Sequence, residues 1–93
     1  RCEEYDRTAK TVTLRLHLSI KCFVQVYASI RNEKLSLALV LDSLRIYGYD
    51  KDKSGMHIHP FEAADTHVST SDDVSISQFF ESSMAYLDIQ RLL

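Results

Sequence analysis

The stretch GYDKDKSGMHIHPFEAADTH, Gly48 to His67, gathers three of the chain's four histidines, its only proline and both of its glycines. Histidine is the side chain whose ordinary pKa, about 6.5, falls within the physiological range, so several together can divide proton removal from proton donation. His57, His59 and His67, with Arg45, Tyr49 and Asp50 just upstream, supply a base, an acid and a cation. Metal-independent RNA cleavage needs those roles: one group deprotonates the 2′-hydroxyl, one protonates the departing 5′-oxygen, and a cation stabilises the phosphorane. Tyr47 and Tyr49, read as sharing a strand face with Arg45, add rings on which single-stranded bases stack.

The same histidines admit a metal. On a strand, His57 and His59 have Cα atoms about 6.6 Å apart on one face, and His67, Glu62 or Asp65 could return a third ligand to an open-sided zinc or iron site. The HxH spacing resembles part of the cupin pattern, a paired HxH followed by a carboxylate. That barrel relies on glycine turns and a distant second motif, whereas this chain has two glycines and its fourth histidine, His17, stands on a much earlier strand. HxH without a full ligand set is a weak signal. The expectation is therefore an acid–base group with no cofactor, and a metal-binding cupin-like enzyme ranks behind it.

The elements that must position these residues are legible in the alternation. Val12, Leu14, Leu16, Leu18 and Ile20 alternate with Thr13, Arg15, His17 and Ser19, the period of a strand with one buried face. Val24, Val26, Ala28 and Ile30 repeat it, and so do Leu35, Leu37, Leu39 and Leu41 after a polar RNEK loop. Asp42 and Ser43 read as a turn, followed by a strand with Leu44 and Ile46 on one face and Arg45, Tyr47 and Tyr49 on the other. DKDKSG reads as the next turn, and Met56 to His59 as a strand that Pro60 ends. Ser75 and Gln78 form a capping box, and Ile76, Phe79, Phe80, Ser83, Met84 and Leu87 trace a helical stripe. The predicted fold is one α+β domain over residues 1–93, an antiparallel β-meander of about four or five strands with a C-terminal helix packed on one face.

Composition narrows the setting. Hydrophobic and charged residues, at 45% and 26%, match ordinary globular domains and argue against disorder. The longest apolar run, Leu35 to Leu41, falls far short of the ~20 residues of a membrane span, and no basic, apolar leader is evident, so the expectation is a cytoplasmic protein with no membrane partner. A net charge of −2 gives no global field to attract DNA, and no DNA partner is expected, although a local basic patch can coexist with an acidic total. Cys2 and Cys22 have no zinc-site spacing and read as reduced, with Cys22 in or near the core.

The segment RIYGYDKDKSGMHIHPFEAADTH, followed by an amphipathic closing helix, resembles the small toxin proteins of the TumE type. The resemblance runs from Arg45 to about Leu87. It implies a toxin–antitoxin pair acting on RNA or translation, an antitoxin protein as partner, and Arg45, Tyr49, Asp50, His57, His59 and His67 as the matching positions. The HPFE continuation departs from the basic histidine run of that family. The alternative reading is a non-enzymatic module that uses a sheet edge and an exposed tyrosine face to hold a partner protein or form a homodimer.

Overall fold

The computed structural model describes residues 10–61, 66, 68–70 and 73–90, together with the backbone of 2–7. Among the described residues seven strands follow one another, β1 (Cys2–Arg7), β2 (Thr11–His17), β3 (Cys22–Ser29), β4 (Lys34–Leu41), β5 (Leu44–Asp52), β6 (Gly55–His59) and β7 (Val68–Thr70), before the helix α1 (Ile76–Ile89). Their order in the sheet is their order in the chain, and each neighbouring pair is antiparallel. This is the expected α+β meander with a C-terminal helix, extended to seven strands. The unforeseen strands are the two edges, β1 and β7. β1 lacks a hydrophobic period and carries a register shift between Glu4 and Asp6, and β7 is three residues long. Charge, irregularity and brevity at an edge discourage pairing with other chains.

The register explains why one face is core. Leu14, Val26, Leu37, Tyr49 and Ile58 stand side by side across five strands, and Leu16, Val24, Leu39 and Tyr47 form the adjoining row. Both rows face α1, where Val24, Leu37, Leu39, Tyr49, Phe79 and Leu87 are fully buried. The alternation of β2 to β4 is thus the imprint of one covered face. It stops at the strand ends: Ile20 and Ile30, which continue the pattern in sequence, lie in turns and are 99% and 80% exposed. Asp42 and Ser43 join β4 to β5 with φ of 51° and 68°, the left-handed pair of a type I′ hairpin turn.

α1 begins with the expected reciprocal cap. Gln78 N–H donates to Ser75 Oγ at 3.1 Å, and Ser75 N–H donates to Gln78 Oε1 at 2.8 Å. Its fully buried line is Phe79, Ser83 and Leu87, spaced four residues apart, which is narrower than the stripe read from sequence; Ile76 is 43% exposed and Phe80 and Met84 flank the line. Phe61, just past β6, stacks between Tyr47 and Tyr86 with centroid separations of 3.9 Å on both sides, and Tyr47 stacks on Phe79 at 4.8 Å. This ring column ties the end of β6 to both sheet and helix. Among the described residues, no helix is long and apolar enough to cross a membrane.

Candidate functional site

A bulge in β5 decides which side chains meet. Leu39 pairs with Tyr47, but the next residue, Val40, pairs with Arg45, so Ile46 is an extra residue in β5 and the side-chain parity reverses across it. Arg45 therefore lies on the helix-free face, whereas Tyr47 and Tyr49 turn toward α1. This corrects the expectation of an exposed face shared by Arg45, Tyr47 and Tyr49. Tyr49 is fully buried in the core and Tyr47 sits in the ring column, where burial pushes its phenol pKa up. Neither ring forms an exposed platform for bases. The segment read as the DKDKSG turn is corrected too: Asp50 to Asp52 belong to β5, and the turn is Lys53 and Ser54 alone.

On the helix-free face the register brings Ser36, Asp50 and His57 into one row, and Ala38, Gly48 and His59 into the next. Asp50 is the hub. Its Oδ1 accepts from Ser36 Oγ at 2.6 Å and from Arg45 Nη2 at 3.4 Å, and its Oδ2 lies 2.8 Å from His59 Nε2. An ionised carboxylate offers only acceptors, so the proton in the last contact belongs to His59 Nε2. Gly48 makes the arrangement possible, because the Arg45 guanidinium crosses directly above it and a Cβ there would have to displace the arginine. Arg45 Nε is buried under this crossing with no acceptor among the described residues.

The electrostatics follow from the geometry. Burial alone would raise the Asp50 pKa, but the hydrogen bonds from Ser36 and His59 and the positive charge of Arg45 outweigh it and hold the carboxyl below its ordinary value. Ser36, on β4, joins Arg45 and Asp50 on β5 and His59 on β6, so the network cross-links three strands. The Asp50–His59 contact is also the orienting half of an acid–base device, since a carboxylate fixes the tautomer and plane of an imidazole. Access is what it lacks: the His59 side chain is 6% exposed. Two shallow depressions, one lined by Ser19, Ile20, Lys21, Leu41 and Asp42 and the other by Leu16, Ile76, Ser77, Phe80 and Glu81, contain none of these groups.

Of the six expected site residues, Arg45, Asp50 and His59 are in direct contact, His57 stands across from Asp50 in the register, and Tyr49 is on the opposite face. His67 lies outside the described residues, as do Glu62 and Asp65. Among the described residues, no three histidine, cysteine or acidic side chains are placed to hold a metal ion. Cys22 is a free, buried thiol whose pKa is raised by burial and then by Asp42. Sequence reasoning missed Ser36. The β4 alternation already put it opposite the leucines, but its partner is 14 residues away and only the β4–β5 register names it. Comparison with protein-family models, with curated proteins and with solved structures yields no match.

Proposed function

We propose that this domain is a non-enzymatic interaction module that self-associates through its helix-free sheet face. The observation carrying this reading is the ordered aromatic and arginine surface on β2 and β3. Phe23 and Tyr27 are half-buried there, with Arg15 4.4 Å above the Phe23 ring and its Nε donating to Gln25 Oε1 at 3.0 Å. Aromatic residues and arginine, already held in place, are the composition that interface centres favour. Size agrees as well. The molecule measures 38 × 29 × 21 Å, and a broad face of that order exceeds the ~800 Å² per partner of a standard interface. A two-fold axis parallel to the strands would lay β2, with Arg15, over the β5 side of the second copy in a self-complementary way. In this reading the Asp50 network is a brace that holds the face rigid.

Sedimentation equilibrium tests it. The wild-type protein is expected at twice its 10.7 kDa chain mass at micromolar concentration, and Tyr27→Glu, which places a charge in the contact, is expected at the monomer mass with an unchanged circular dichroism spectrum. A wild-type chain that remains monomeric as concentration rises sinks the proposal.

A second reading keeps a specific observation: Arg45, Asp50, His57 and His59, four positions of the toxin resemblance, lie on one face around Asp50. It makes the domain a toxin-type ribonuclease whose substrate is RNA and whose partner is an antitoxin. Cleavage of RNA should then persist in chelator, follow a bell-shaped pH profile, and fall by roughly 10² to 10⁴ in His59→Ala. RNA left intact by the wild-type protein across that pH range would remove this reading.

A further inference from the structure

The chain's net charge of −2 hides a local excess of cations at one end of the sheet. Lys10, just before β2, lies at the same end of the sheet as the β3–β4 and β5–β6 turns, where Lys10, Arg31, Lys34 and Lys53 stand against Glu33 and Asp52 among the described residues. At the same end Lys51, two residues before the β5–β6 turn, pairs with Asp73 at 3.0 Å, and α1 carries Glu81 and Asp88 with no lysine or arginine. The turns form one patch: Ile30 N–H donates to Lys10 O at 2.9 Å, and Lys53 Nζ lies 4.0 Å from Glu33 Oε2. Asp52 is folded back on its own turn, where its Oδ1 accepts from Ser54 N–H at 2.8 Å and Ser54 Oγ at 2.6 Å. At the β3–β4 tip stands Ile30, 80% exposed, with Arg31 and Lys34 beside it.

We propose that this end is a docking surface for an anionic lipid bilayer, with Ile30 entering the headgroup region and Arg31, Lys34, Lys53 and Lys10 lying against the lipid phosphates. Charge complementarity selects a polyanion, and the protruding isoleucine selects a bilayer over a nucleic acid, because only the bilayer offers an apolar layer beneath its phosphates. This departs from the expectation of no membrane partner, which rested on the lack of a spanning segment; surface docking needs none. The proposal stands independently of self-association.

Co-sedimentation with vesicles decides it. Phosphatidylcholine vesicles containing phosphatidylserine are expected to bind the wild-type protein at low ionic strength, and pure phosphatidylcholine vesicles are not. Each cation is expected to contribute roughly fivefold to the partition coefficient, so Arg31→Ala/Lys34→Ala should lower it by about 25-fold and Arg31→Glu/Lys34→Glu should abolish binding. Ile30→Ser should lower it by roughly tenfold or more, and raised salt should release the protein. These positions are exposed, so the variants are expected to keep the wild-type circular dichroism spectrum. Equal binding to neutral vesicles, binding that survives the charge reversal, or binding to a single-stranded RNA probe in place of the vesicles would each overturn the proposal.

Discussion

Phe79→Ala is expected to lower stability by about 3 to 5 kcal/mol in a denaturant titration, as large core truncations do. The reason is positional. Phe79 is fully buried, begins the Phe79–Ser83–Leu87 line along which α1 meets the sheet, and stacks on Tyr47 at 4.8 Å. Removing it leaves a cavity between the two layers and takes one ring from the column that holds Phe61. For a small domain with a total stability of about 5 to 15 kcal/mol, such a loss is a large share. Phe80→Ala is the control. Phe80 lies on the flank, lining a shallow depression with Leu16 and Ile76, and should cost no more than about half as much. The midpoint should shift with the slope of the titration unchanged. A larger cost at Phe80 than at Phe79 would place the buried line of the helix one residue further on.

The contrast between those neighbours shows what a sequence pattern carries. The helical period marks both phenylalanines as inward, but it cannot say which faces the centre of the sheet, because that depends on how α1 crosses β3 and β4. In β2 to β4 the alternation is enough, since each strand has one face on the core and a one-residue slip would expose every leucine. β1 and β7 had no such signature. CEEYDR contains no apolar alternation and VST is too short to show one, so both exist as strands only because a neighbour offers its backbone. The candidate site was legible as a set of residue types around Asp50, but its membership was not. One extra residue at Ile46 reversed the parity of β5, and the tyrosines assigned to solvent became core. A trace of this was present downstream, where Tyr47 and Tyr49 alternate with Gly48 and Asp50: two large rings on one side, and on the other a glycine that clears space beneath an arginine.

Asp50→Ala is expected to cost about 2 to 4 kcal/mol, because one deletion takes the shared acceptor from Ser36, Arg45 and His59. The range sits below that of a fully buried ion pair, since the Asp50 and Arg45 side chains are 21% and 33% exposed and water screens part of the charge. The loss should depend on pH with a definite sign. Despite burial, which works in the other direction, the hydrogen bonds from Ser36 and His59 and the Arg45 charge lower the Asp50 pKa in the native state. Its stabilisation is therefore fully present above the unfolded carboxyl value of about 3.9 and is lost as pH falls through the lower native value. The stability difference between wild type and Asp50→Ala should stay level from neutral pH down to about 4 and then narrow. A difference that remains constant through the acid limb would mean that Asp50 acts by packing rather than by charge. The same variant separates the two functional readings. A brace predicts that stability falls and that self-association weakens with it. A variant of wild-type stability that has lost RNA cleavage would instead assign Asp50 to orienting His59 for proton transfer.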